Sequence, residues 1–270
     1  MTMDPVNDAY SPQQIAERVN NAGVNKATLP VLQTLTLGIL AGAFIAFGAM
    51  FYTLVITDSL LGFGPTRLLG GMAFSLGLVL VIIAGAELFT GNNLIVIAWA
   101  EKKISIDVLL GHWLLVYIAN LIGALGSAGL VVFSGIMNSN EGAVAATAIS
   151  IAEHKVALSP LQAFVRGVLC NTLVCLAVWL CYAAHTVSGK ILAVGFPITA
   201  FVALGFEHSI ANMYLISSVI FQGDTSISWM DFANNLIPVT AGNIIGGSVL
   251  VAMVYWLCYL YKPGKKEGGL

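Results

Sequence analysis

Gly205-Phe206-Glu207-His208-Ser209-Ile210-Ala211-Asn212-Met213 interrupts a run that is otherwise apolar enough to cross a membrane. A carboxylate, an imidazole, a hydroxyl and an amide stand together in it. Ionisable groups at bilayer depth are costly, and they are kept where they face a cavity or a partner. Two readings follow: polar glue between helices, or a site on a transport path. An echo in the first half favours the path. Gly85-Ala86-Glu87-Leu88-Phe89-Thr90-Gly91-Asn92-Asn93 also breaks an apolar run with an acid, a hydroxyl and amides, and Glu87 precedes Glu207 by 120 residues. Asn120-Leu121-Ile122-Gly123 is answered by Asn243-Ile244-Ile245-Gly246 at an offset of 123. Two landmarks in the same order at nearly one offset predict an internal duplication. Interrupted hydrophobic segments at matching positions of two halves point to a binding site where the halves meet.

Composition sets the class. Of 270 residues, 58% are hydrophobic and only 9% charged, and the mean hydropathy is +0.90. A soluble chain carries roughly 25% charged residues, so this one reads as a membrane protein in contact with a lipid bilayer. The formal net charge of −2 argues against a nucleic-acid partner. Cys170, Cys175, Cys181 and Cys258 fall in apolar segments without paired spacing and read as small packed hydrophobes. The histidines His112, His154, His185 and His208 are scattered without ligand spacing, so neither a metal nor a cofactor is expected.

Six spans are predicted, each needing ~20 apolar residues: 35–56; 68–86, interrupted and then completed by 94–100; 108–133; 161–184; 191–222, with its own interruption; and 232–261. Pro197 and Pro238 lie inside spans, where neighbouring helices can satisfy the freed backbone groups. The domain reading is a cytoplasmic N-terminal segment 1–26, a six-helix domain 27–261 with halves of about 27–136 and 157–261, and a cytoplasmic tail 262–270. A longer loop, 134–155, separates the halves. Ser11-Pro12-Gln13-Gln14 carries a capping-box signature and predicts a short surface helix ending near Asn21, with Gly23 as its stop. That helix is either an anchor or a lid on a pore mouth. No signal-peptide core precedes it.

The Lys and Arg bias sets orientation. With both termini inside, the cytoplasmic side holds Arg18, Lys26, Lys102, Lys103, Lys190, Lys262, Lys265 and Lys266. The outer side holds Arg67 and Lys155, and Arg166 is left within the fourth span. Three spans per half make the duplication inverted, with its breaks meeting near the midplane.

Several long motifs resemble the formate/nitrite transporter family over nearly the whole chain. They are Ala84-Gly85-Ala86-Glu87-Leu88-Phe89-Thr90, His154-Lys155-Val156, the run from Cys170-Asn171-Thr172 to Trp179, Gly205 to Met213, and Pro238-Val239-Thr240-Ala241-Gly242-Asn243. Ala22-Gly23-Val24-Asn25-Lys26-Ala27-Thr28 and Asn235-Leu236-Ile237-Pro238-Val239-Thr240 are more similar to its formate channels than to its nitrite channels. The resemblance implies an all-α, aquaporin-like protomer with an inverted 3+3 repeat and broken second and fifth helices. It also implies a homopentamer in a bacterial inner membrane, with a pore in each protomer. It puts the family's central histidine at His208, its loop threonine at Thr90, its lysine at Lys155 and its pore-facing asparagine at Asn171. Its hydrophobic constrictions fall at Phe74, Leu78, Leu88, Phe89, Val174 and Phe201. Arg166 is given no role.

The chemistry expected is movement of formate or a similar small anion through hydrocarbon, which requires donors on the path or neutralisation of the ion. Lys155 would raise the local anion concentration, and Thr90 and Asn171 would donate hydrogen bonds without fixed charge. His208, whose side chain titrates near physiological pH, would hydrogen-bond the ion or hand it a proton. Glu207 would orient His208 through hydrogen bonds. The rival reading is a proton-coupled secondary transporter of formate, nitrite or hydrosulphide. An intramembrane enzyme built on Glu207 and His208 lacks a nucleophile motif or metal set, and a water or glycerol pore lacks the Asn-Pro-Ala boxes. The chain is not expected to be an enzyme.

Overall fold

The computed structural model describes residues 9–223 and 226–262, and among these the regular structure is helical throughout. The tail 263–270, with Lys265 and Lys266, lies outside the described residues. Five helical segments are long and apolar enough to cross a membrane: Val31–Ile56, Phe63–Gly85, Ile106–Phe133, Pro160–Ala183 and Trp229–Tyr259. Shorter apolar helices fill the rest, at Gly91–Ala100, Val187–Ala203 and Ser209–Phe221. In chain order the α-helices are α1 Pro12–Ala27, α2 Val31–Ile56, α3 Phe63–Leu80, α4 Val96–Ala100, α5 Ile106–Phe133, α6 Ala143–Val156, α7 Pro160–Ala183, α8 Val187–Ala203, α9 Ser209–Phe221, α10 Trp229–Ile244 and α11 Val254–Tyr259.

Local signals start several of these helices. Ser11, Ser159 and Ser228 each cap a helix through a reciprocal capping box, closed by Gln14, Gln162 and Asp231. Each box satisfies two amide donors that a helix start would otherwise leave open. Pro197 and Pro238 lie within α8 and α10. Beyond α10 the helix widens into π turns over Ile245–Met253 before α11.

Two elements depart from the expectation. Helix α1 runs on through Gly23 to Ala27 instead of stopping near Asn21. Gly23 is pressed against Ile95 and Ala98, a Cβ there standing 3.4 Å from the Ala98 Cβ. That contact offsets the cost of about 1 kcal/mol that glycine brings to a helix interior. The stretch expected as a loop, 134–155, is mostly helix α6. Val144, Ala148 and Ala152, spaced by fours, pack on Ile216 and Val219 of α9, a helical stripe hidden by its small side chains.

Small residues let the long helices close on one another, since packing rather than exclusion from water drives association in a bilayer. A Cβ on Gly123 would overlap the Ile39 carbonyl where α5 crosses α2. A Cβ on Gly246 would overlap the Val168 carbonyl where the α10 segment crosses α7. Both obstacles are backbone and cannot rotate away. Gly123→Ala and Gly246→Ala are therefore each expected to destabilise the fold by about 1–3 kcal/mol, as overpacking does. Thermal unfolding in detergent checks this; wild-type midpoints in both variants would contradict it.

Candidate functional site

Both interruptions are stretches of non-helical backbone lodged between apolar helices. After α3 the chain widens into a π turn, Val81–Gly85, turns extended at Ala86 and resumes helix at Gly91. After α8 it leaves helix at Leu204 and resumes at Ser209. Gly85 (φ +86°) and Gly205 (φ +70°) occupy the left-handed region at the two departures, a conformation open to glycine at little cost.

Peptide groups freed by such turns need partners. One asparagine clamps each turn. The Asn120 amide donates to Gly38 O (2.8 Å) and Glu87 O (2.9 Å), and its Oδ1 accepts from the Phe89 N–H (2.9 Å). The Asn243 amide donates to Gly167 O (2.8 Å) and Glu207 O (3.0 Å), and its Oδ1 accepts from the Ser209 N–H (2.9 Å). The acids' own amides reach across as well. Glu87 N–H donates to Leu37 O at 3.2 Å and Glu207 N–H to Arg166 O at 3.3 Å.

The buried carboxylates are each held by a lysine and an amide. Lys155 Nζ lies 3.0 Å from Glu207 Oε1, and Asn212 Nδ2 donates to Glu207 Oε2 at 2.6 Å. Lys26 Nζ lies 2.8 Å from Glu87 Oε1, and Asn92 Nδ2 donates to Glu87 Oε2 at 2.6 Å. The third partner differs. Asn212 also reaches Asn235 Oδ1 at 2.8 Å, whereas Asn92 Nδ2 faces His112 Nε2 at 3.1 Å. Glu207 thus engages Lys155 and Asn212 directly.

At the centre, Thr90 Oγ1 and His208 Nε2 lie 2.9 Å apart and both side chains are buried. His208 caps α9 through Nδ1, which accepts the Ala211 N–H at 3.1 Å. An accepting Nδ1 assigns the ring proton to Nε2. Nε2–H then donates to Thr90 Oγ1, and the threonine hydroxyl proton is left to be given elsewhere. Phe201 stacks along the imidazole at 5.8 Å and meets Phe74 edge-on at 5.6 Å.

Two cavities approach this pair. The larger, about 730 Å³, is lined by Lys155, Glu207 and His208 with Phe74 and Phe201. The smaller, about 60 Å³, is lined by Leu78, Leu88 and Asn92, and by Val19, Gly23 and Lys26 of α1. Of the other expected constriction residues, Phe89 and Val174 are buried but line neither cavity. The Phe89 ring sits edge-on to Trp113 and Tyr117. Asn171, expected to face an anion, is fully buried; its amide lies within hydrogen-bond distance of Thr90 O, Asn93 Oδ1 and Asn243 O. It positions the Thr90 loop.

Lys26, Asn92, Asn212 and His112 were not singled out as site residues from sequence. The Glu87…Asn92 and Glu207…Asn212 spacings, five residues each, carried the signal for the two amides. Truncating Lys155 leaves Glu207 buried without its cation, a loss of about 3–5 kcal/mol for a broken buried pair. Lys155→Met should therefore lower thermal stability sharply, and adding Glu207→Gln should recover much of the loss. A single variant as stable as wild type would contradict the pairing.

Comparison with known proteins places this geometry. A family model described as formate/nitrite transporter matches residues 13–257. The chain is 43% identical to YrhG of Bacillus subtilis (strain 168), an uncharacterised transporter, over 95% of this chain and 96% of that one. It is 39% identical to the formate channel FocA of Escherichia coli (strain K12), over 96% and 98% respectively. Among solved structures, a pentameric formate channel with formate bound is 40% identical with a TM-score of 0.78, covering 86% of this chain and 98% of that one. An ion channel of the same family is 28% identical with a TM-score of 0.83, covering 90% and 98%. A family match across the whole helical body, joined to relatives matched over nearly their full length, makes this a multi-pass membrane protein that belongs to the formate/nitrite transporter family.

Proposed function

We propose that the chain is a bidirectional, pH-sensitive channel for formate and related small monovalent anions. The observation that carries this reading is the Thr90–His208 pair. His208 ends the large cavity, and Leu88 and Gly91, close beside Thr90 in the chain, line the small one. The relatives described as formate channels support the substrate class. The solved relative described as pentameric supports a homopentamer with one pore per protomer in a bacterial inner membrane. Matched asparagine clamps and matched Lys–Glu–Asn groups support an inverted 3+3 repeat whose second and fifth spans are broken. The lysine and arginine bias supports cytoplasmic termini, so the large cavity faces outward.

An anion cannot shed water into hydrocarbon uncompensated. It enters the outer cavity beside Lys155, whose charge is held in place by Glu207. It then meets the free hydroxyl proton of Thr90, and by displacing that hydroxyl it takes the His208 Nε2–H directly. Charge-assisted bonds of this kind are the strong ones, and their small number lets the ion leave. Phe74, Phe201, Leu78 and Leu88 keep bulk water from following. Proton donation by His208 first requires an imidazolium, whose formation displaces the Ala211 N–H from Nδ1. The pH response is therefore coupled to the start of α9.

Flux into proteoliposomes tests the reading. Formate is expected to run down its own gradient with no pH gradient present. His208→Phe should change that flux by about tenfold or more, the worth of one hydrogen bond to a charged group, while the oligomer still assembles. Uptake that stops when a pH gradient is collapsed would favour a proton-coupled carrier instead. Wild-type flux in the variant would remove His208 from the path. Because α1 closes the small cavity, deleting residues 1–21 is expected to alter pH gating but not permeation. Unchanged pH dependence in a well-folded truncation would sink that role.

A further inference from the structure

Two arginines of the large cavity take no part in the pore chemistry above. Arg67 stands near the start of α3 and Arg166 on α7, and both line the cavity that ends at Lys155 and His208. They converge on one glycine. Arg166 Nη1 donates to Gly205 O at 3.4 Å, and Arg67 Nη1 lies 3.9 Å from where a Cβ on Gly205 would stand. The Phe63 ring covers Arg67 at 5.3 Å.

Their charge is unmatched. Among the described residues neither guanidinium forms an ion pair with a carboxylate, whereas Lys155 is paired with Glu207. Asp58, the other acid lining this cavity, accepts from Asn140 at 2.6 Å. The backbone contact that Arg166 makes at the second turn does not use its guanidinium. Its carbonyl accepts the Glu207 N–H, the contact that Leu37 makes with Glu87 N–H at the other turn. A leucine therefore does the same backbone work at the matching position.

We propose that Arg67 and Arg166 form a capture site for one small carboxylate or like monovalent anion at the outer cavity's floor. It acts ahead of Lys155 and His208, and it rests on the channel reading above. A guanidinium offers planar paired N–H donors that fit a carboxylate, and it sheds water more readily than an ammonium. Gly205 adds no side chain to the floor, and the cavity of about 730 Å³ that both arginines line can hold a small carboxylate. A bound anion there raises its concentration at the Thr90–His208 pair without fixing it deep in the pore, because the site is open to water on one side.

Saturation curves for formate flux in proteoliposomes test the site. Wild type, Arg166→Leu, Arg67→Gln and the double variant would be compared at two ionic strengths, with assembly checked by gel filtration. The half-saturating formate concentration is expected to rise about tenfold in the double variant, with a shallower salt dependence and little change in maximal flux. Unchanged half-saturation, or a fall in maximal flux alone, overturns the proposal. Repeating the curves in pure phosphatidylcholine and with phosphatidylglycerol separates an anion site from headgroup binding. A shift seen only with the anionic lipid assigns the arginines to lipid and overturns it too. Saturation transfer from detergent-solubilised protein to formate, lost in the double variant, reads the site without transport. A wild-type protein that binds formate this way but carries none fails the channel reading while the capture site stands.

Discussion

Non-helical backbone inside an apolar bundle leaves peptide groups that need partners, and the fold depends on how Asn120 and Asn243 meet that need. A side-chain amide has two donors and an acceptor, so one asparagine can bridge two helices and a turn at once. Asn120 joins Gly38, Glu87 and Phe89; Asn243 joins Gly167, Glu207 and Ser209. Buried peptide groups without partners cost about 1–3 kcal/mol each. The clamps turn that liability into a rigid seat, on which Thr90 and His208 come within 2.9 Å of each other.

The buried acids follow the same logic. An uncompensated charge at this depth is prohibitive, and each carboxylate is met by a lysine on one oxygen and an asparagine amide on the other. The acids therefore serve the turns, drawing a lysine and an amide to each. The two clusters differ at one position, His112 in one and Asn235 in the other. One cluster thereby carries an imidazole where the other carries an amide. The arginine–leucine difference at residues 166 and 37 adds a second inequality between two otherwise similar clusters.

Much of the fold was legible because hydrophobic length and polar interruption are one-dimensional signals. The long apolar segments and the Ser11 capping box lie close to where residue pattern places them. Helix α6 was not legible, since Val144, Ala148 and Ala152 are too small to stand out as a stripe until α9 is seen beneath them. The end of α1 was misplaced because Gly23 reads as a stop in isolation and as a close contact in the bundle. At the site, the family resemblance marked His208, Thr90 and Lys155 as candidates but could not say which way a side chain points. Glu207 turned out to hold Lys155, and Asn171 to hold the Thr90 loop.

By itself the sequence determined membrane character, because that rests on composition and hydropathy, and the family, through the long motifs that resemble it. Only the tertiary structure decided the partners. Lys26 lies 61 residues from Glu87 and Thr90 lies 118 from His208, separations at which local pattern carries no information. Which tautomer His208 adopts, which oxygen of Glu207 meets which donor, and which arginines remain uncompensated are questions of hydrogen-bond direction and burial. Those quantities come into being only when the helices pack.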